Sequence, residues 1–428
     1  MAQGCADVQL APKPIRLQKE GSSPKPNNSQ HLPTHHHQTP SISQTRDPTA
    51  HHKTFQPRPP GSGPTPTMTT PHSQPPPPQT HIHLAIICAL PLKADAITAL
   101  FDHHWDSSTY TKSPHDPNTY STGTIGRHNV VLAHMPGVGK ASAATVAAHC
   151  RASFPGVRLA VVVGVCGVVP FRPGHGGGGE EEEIVLGDVI VSEGVVPFEF
   201  GRLLPGQFVQ KTDSVLDVLG RPNAEARALL AKLKGIRGRE ALRGKMIGYM
   251  EVLRGNKGLG AVYPGVAKDK LFEATYCHVG EKISCEDCGC DEGKLVPRAR
   301  LEQGDAQPEV HFGLIGSGDT VIRSAEDREV LARKTGVMAF EMEGVGVWDS
   351  FPCLVIKGAC DYADSHKSKG WQRYAAATAA ACMKAVLEHW VPSLPGASCS
   401  ALLPEMFADW HNQSLWRSRS SLPALGVG

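Results

Sequence analysis

Short, continuous apolar runs set between helix-forming segments constrain this chain most. Leu84 to Leu90, Leu159 to Val163, Val189 to Val191 and Leu354 to Ile356 hold no charged residue. Such runs read as strands covered on both faces, because a strand with one wet face would alternate polar and apolar side chains. Helical spacing follows the first run at Ala94, Ile97, Leu100 and Phe101, and an alanine-rich helix is expected over 141–150. Further strands are expected at 311–316, 337–341 and 353–356. Helices are expected at 221–234, 326–335, 343–350 and 370–390. Tyr120 to Ile125 and Asn129 to His134, joined by Gly126-Arg127-His128, read as a hairpin. Strands alternating with helices predict an α/β fold around a largely buried sheet.

Composition bounds the rest. Residues 1–80 are rich in Pro, His, Ser, Thr and Gln and hold almost no apolar periodicity. They cannot bury enough apolar surface to offset the entropy of ordering, so they read as disordered, the His35-His36-His37 and His51-His52 tracts included. Residues 391–428 read as a flexible tail. The expected domain is therefore 81–390, with insertions at about 171–183 (a Gly run followed by Glu180 to Glu183) and at 235–308, which is charged, Gly-rich and poorly periodic. The net charge of +2 favours neither nucleic acid nor an anionic membrane. No apolar run reaches a membrane span, and no apolar signal core follows Met1. Cys88, Cys166, Cys353, Cys360 and Cys382 lie in apolar segments and read as reduced core thiols, so an intracellular protein, cytoplasmic or nuclear, is expected.

Three constellations carry chemistry. Gly137-Val138-Gly139-Lys140 leads into a helix, but His134 and Ala141 break the P-loop pattern. What remains is a turn needing Gly dihedrals, or helix amides able to hold an anion. Glu341-Met342-Glu343 and Asp361 follow strand-like runs. Either carboxylate alone fits a helix cap; two at strand carboxyl ends point to the place where α/β folds bind ligands. Finally, Cys277, Cys285, Cys288 and Cys290 lie in the second insertion, and four thiolates can close a structural zinc site. The tight Cys288-x-Cys290 step and the distance of Cys277 favour plain reduced thiols.

These runs, in order, resemble the nucleoside phosphorylase and methylthioadenosine/S-adenosylhomocysteine nucleosidase superfamily over about residues 82–390. The collinear landmarks are Ile86 to Pro91, Gly137 to Lys140, Val163 to Gly167, Leu186 to Ser192, Gly313 to Asp319, Phe340 to Glu343 and Asp361. Phe351 to Gly358 and Asp361 to Lys367 are similar to the fungal form. The resemblance implies a three-layer fold, with a central mixed twisted sheet flanked by helices. It implies cleavage of the N-glycosidic bond of a purine nucleoside or nucleotide, with no required cofactor and with inorganic phosphate as the candidate co-substrate. Asp361 then shares a proton with the leaving purine and should be buried. Glu343 holds the ribose hydroxyls and stabilises an oxocarbenium-like sugar. Met342 packs on the sugar. Ser317, Asp319, Val321 and Ile322 line the base site, Val321 standing where bacterial relatives carry a stacking aromatic. Glu341, Gly164 and Gly167 join the substrate-binding set.

The nucleophile is left open. Nucleosidases of the family carry a Glu in the first loop to activate water; this chain has Lys93, which resembles the Arg that binds phosphate in phosphorylases. Gly137 and Gly139 are grouped with it. Val162 and Val165 stand where phosphorylases place an Arg and a Ser, which removes half a phosphate cradle. Asp95 is an alternative base. Phosphorolysis is set slightly ahead of hydrolysis of adenosine, methylthioadenosine or ATP. A non-catalytic nucleoside-binding sensor is the third reading. A homo-oligomer is expected from the resemblance.

Overall fold

The computed structural model describes residues 75–172, 182–205, 207–211, 220–280, 283–304 and 307–393. The expectations for 1–74, for the Gly run and for the tail from 394 lie outside the described residues. In chain order the elements are β1 (Leu84–Ala89), α1 (Pro91–Thr98), β2 (His103–Trp105), β3 (Thr119–Ile125), β4 (His128–Met135), α2 (Lys140–Ser153) and β5 (Leu159–Val168). Short β6 (Phe171–Arg172) and β7 (Glu182–Glu183) precede β8 (Val189–Pro197), then β9 (Gly201–Leu204) and β10 (Gln207–Gln210). The chain continues through α3 (Ala224–Lys234), α4 (Ile236–Gly255), α5 (Cys285–Cys288) and α6 (Ala299–Glu302). It ends with β11 (Val310–Ser317), α7 (Ala325–Thr335), β12 (Val337–Glu341), α8 (Gly344–Trp348), β13 (Cys353–Asp361) and α9 (Gln372–Leu387).

The main sheet runs β12-β11-β8-β13-β5-β1-β4-β3-β2 and is mixed, as expected. β1, β4, β5 and β13 are parallel to one another, while β13 meets β8 antiparallel. Every residue of β1 and β13 is buried, which is why their sequences show no alternation. The sheet then curls, so that β12 also pairs antiparallel with β5, Phe340 opposite Gly167 and Ala339 opposite Val168. β13 reaches the same point from the other side, with Asp361 opposite Gly167. The curl brings the ends of β12 and β13 together at one glycine, and that fixes the site.

Helices flank the sheet. α9 is buried from Tyr374 to Leu387, packed on β5 and β13 and against α1 and α4. Its run Ala375 to Ala381 lets the backbone lie close, and an added methyl at Gly358 would fall 2.0 Å from the Ala375 carbonyl. The span 236–255 corrects the expected insertion boundary: it is the regular 20-residue helix α4, not poorly periodic chain. It buries Leu242, Met246, Met250 and Leu253, a helical stripe interrupted in the sequence by Arg, Lys and Gly on the exposed face.

The rest of that span is tied down by buried ions. Asp188 accepts from the backbone of Val185 and Glu309, from Arg300 at 2.6 Å and from His311 at 3.0 Å. Asp269 accepts from Leu186 N and from the Tyr362 hydroxyl at 2.5 Å, and Arg298 donates to that same hydroxyl. The segment from 256 to 304 thus braces the residue that follows Asp361. Among the described residues no helix is long and apolar enough to cross a membrane.

Candidate active site

A cavity of about 210 Å³ opens where β5, β12 and β13 converge. Lys93, Gly167, Val321, Ile322, Met342, Glu343 and Asp361 line it. Both expected catalytic carboxylates therefore face one space. Asp361 is 9 % exposed, as the expectation of burial required. Its Oδ1 accepts from Ala363 N at 3.0 Å and faces the Lys367 ammonium at 3.0 Å, while the Cys360 thiol donates to Oδ2 at 3.2 Å. Gly167 makes this geometry available: a methyl there would sit 2.7 Å from Asp361 Oδ1. Ala363, the residue held by that carboxylate, has φ 52°. Leu90, which lines the same cavity, has φ 75°. Two non-glycine residues at positive φ on one cavity wall are strain of the kind that folds hold at working sites.

Glu343 is held by a residue that sequence reasoning missed. Lys357, fully buried in β13, donates to Glu343 Oε2 at 2.6 Å and contacts Glu341 Oε2 at 3.0 Å. Burial opposes charge on Glu343, but Lys357 and Lys93 outweigh it and hold the carboxyl below its ordinary value. Burial likewise opposes charge on Lys357, and the two glutamates outweigh it, raising its value. The signal was a lysine inside the apolar run Cys353 to Ala359, where a charge demands a buried partner. Glu341 lines the cavity, but its oxygens accept from the amides of Glu343 and Gly344 as well as from Lys357. It shapes the turn that presents Glu343.

Lys93 reaches the cavity from α1 and is only 5 % exposed. Among the described residues its ammonium makes no hydrogen bond or ion pair. Burial, then the nearby Lys357, push its value down. Gly164 leaves room for both lysines, since a methyl there would stand 3.2 Å from Lys93 Nζ and 3.3 Å from Lys357 Nζ. It acts by that clearance, from behind the wall.

Four expectations are corrected. Ser317 is fully buried and accepts from Val345 N, away from the cavity. Asp319 has a side chain 54 % exposed and accepts from Lys140 N at 2.8 Å. That bond occupies the Lys140 amide at the start of α2, and of the Gly137 to Lys140 turn only Val138 lines the cavity. Asp95 is exposed and is not among the residues that line the cavity. Of the two apolar replacements, Val165 lines the cavity while Val162 is buried in β5.

A second cavity of about 500 Å³ shares Cys360, Asp361 and Lys367 with the first and is walled on its far side by Lys268, Lys270, His278 and Cys285. The cysteine cluster lies there, with its membership changed. Cys277 is exposed and outside the group, and His278, Cys285 and Cys290 gather with ligand atoms within 4.8 Å of one another.

The family model of the phosphorylase superfamily matches residues 83–388, and the chain belongs to that superfamily. A nucleotide-binding leucine-rich repeat (NLR)-like protein of Hyaloscypha variabilis is 34 % identical over 304 residues, covering 70 % of this chain and 28 % of that protein. The chain thus spans under a third of that relative's length. The 5′-methylthioadenosine/S-adenosylhomocysteine nucleosidase of Mycobacterium bovis is 25 % identical over 274 residues, covering 63 % of this chain and 83 % of that enzyme. Among solved structures, the Helicobacter pylori enzyme of the same name matches with a TM-score of 0.44 at 17 % identity, over 72 % of this chain and 98 % of that one.

Proposed function

We propose that this cleft cleaves the N-glycosidic bond of purine nucleosides. The observation that carries the reading is the pair Glu343 and Asp361 on one small cavity, the first held ionised by Lys357 and the second beside Lys367. Bond breaking puts positive charge on the sugar and negative charge on the purine. An ionised, buried Glu343 is preorganised for the first: it accepts from the ribose hydroxyls and needs no reorganisation as charge develops. Asp361 serves the second by sharing a proton with the purine through Oδ2, while Ala363 N and Lys367 keep Oδ1 in place. Met342, Val321 and Ile322 supply the apolar walls.

Lys93 favours phosphate as the nucleophile. A buried ammonium with no hydrogen-bond partner among the described residues, beside the sugar carboxylate, suits an oxyanion, and a single lysine can hold one as a point charge. Val165 on the wall favours water instead, or binding without cleavage, because it offers an anion nothing. Adenosine, inosine, methylthioadenosine and ATP, each incubated with and without phosphate, separate these readings. Free base with ribose 1-phosphate only when phosphate is present supports phosphorolysis. Free base without phosphate replaces it by hydrolysis. Tight nucleoside binding with no base in either condition refutes catalysis.

A further inference from the structure

We propose that His278, Cys285, Cys288 and Cys290 bind one structural zinc ion, which clamps the 256–304 segment to the loop carrying Asp361. Zinc takes sulfur at about 2.3 Å and imidazole nitrogen at about 2.0–2.1 Å in a tetrahedron, so ligand atoms should stand about 3.6–3.8 Å apart. Cys288 Sγ lies 3.2 Å from both His278 Nε2 and Cys290 Sγ. The ligand atoms of His278, Cys285 and Cys290 all fall within 4.8 Å of one another. Three donors lie within that mutual distance, and Cys288, 3.2 Å from two of them, completes the tetrahedron once its side chain rotates toward Cys285.

The backbone is built for this convergence. Ser284 caps α5 by accepting from Asp287 N, Gly289 ends it at φ 67°, and Cys290 N returns to Cys285 O at 3.0 Å. One helical turn followed by a left-handed glycine brings three sulfurs to one side. The imidazole is oriented independently. His278 Nδ1 donates to Gly280 O at 2.8 Å, which leaves the Nε2 lone pair directed at the thiols. A ring nitrogen donating to a backbone carbonyl is how metal-binding histidines are held in their ligand tautomer. Cys277, one residue away, is exposed and is not a ligand.

The consequence reaches the acid loop. His278 N donates to Ser365 Oγ at 2.9 Å, and the His366 ring stacks on Phe272 at 4.1 Å between centroids. His278 and Cys285 wall the larger cavity that Asp361 also lines. Zinc binding would displace thiol protons to solvent and involves no oxidation.

The test uses the full chain prepared with zinc and a reductant. One zinc per chain is expected in the wild type and in Cys277→Ser, and less than a tenth of that in Cys285→Ser/Cys290→Ser. In the wild type, zinc added to metal-stripped protein should protect three thiols per ion from a thiol reagent. Cobalt in its place should give the charge-transfer and visible bands of a tetrahedral thiolate site. These two measurements need no variant and so survive misfolding of the double serine chain. Wild-type protein without stoichiometric zinc, zinc lost equally in Cys277→Ser, zinc retained by the double variant, or no thiol protection would each overturn the proposal.

Discussion

Replacing Lys357 by methionine removes one cation from between two buried carboxylates. Lys357 is fully buried, with Glu343 at 2.6 Å and Glu341 at 3.0 Å. At an effective dielectric of about 20 each contact has a gross attraction of about 6 kcal/mol, against a desolvation cost of several kcal/mol for each ion. The net worth of the triad is therefore small, but the cost of breaking it is not. Truncating one partner of a buried pair typically costs about 3–5 kcal/mol, and Lys357→Met should fall in that range. Adding Glu343→Gln should recover at least half of the loss, because one of the two orphaned charges is then gone and Glu341 still accepts from two backbone amides. Urea unfolding of the four members of this cycle measures both quantities. Nucleoside binding should fail in Lys357→Met and in the pair alike, since neither presents an ionised Glu343 in its native position. A loss under about 1 kcal/mol, or no recovery in the pair, would refute the claim that Lys357 holds Glu343 ionised.

Three more outcomes follow from the geometry. Gly167→Ala puts a methyl 2.7 Å from Asp361 Oδ1 and should displace the acid, lowering turnover at least tenfold while costing only about 1–3 kcal/mol of stability. Full turnover in that variant would show that the position of Asp361 is not critical. Burial disfavours charge on His311, but Asp188 and Glu182 outweigh it and raise its value to about 9 from 6.5. Its contribution, about 3 kcal/mol from that shift, is complete below pH 6.5 and lost as pH rises through 9. Unfolding midpoints between pH 6 and 10 should decline over that window and flatten in His311→Gln. Lys93→Met should weaken phosphate dependence far more than nucleoside binding, since Lys357 still pairs with Glu343; unchanged kinetics in phosphate would remove Lys93 from the nucleophile site.

Much of the sheet was legible because its central strands are apolar on both faces. β1 and β13 need no partner information to be recognised, and the glycine hairpin between β3 and β4 carries its own turn signal. α4 was hidden because its buried stripe is only four residues in twenty, diluted by charges that stay in solvent. Asp361 and Glu343 could be singled out as acids at strand ends. Their convergence could not, since it depends on β12 folding back onto β5 at Gly167. Ser317 and Asp319 were misplaced for a related reason. Their position in the chain is right for the cavity, but Ser317 turns toward the start of α8 and Asp319 toward the start of α2. In the cysteine cluster, chain order cannot tell which of Cys277 and His278 turns inward. The hydrogen bond to Gly280 decides it.

The central claim is that this cleft releases a purine base and that Asp361 is the acid. The direct measurement is chromatographic detection of free base after incubation of the full chain with purine nucleosides in phosphate, wild type beside Asp361→Asn. The account predicts base from the wild type, and at least a hundredfold less from Asp361→Asn with its unfolding midpoint preserved. Base release undiminished in Asp361→Asn, or none from a wild-type chain that binds nucleoside, would contradict it.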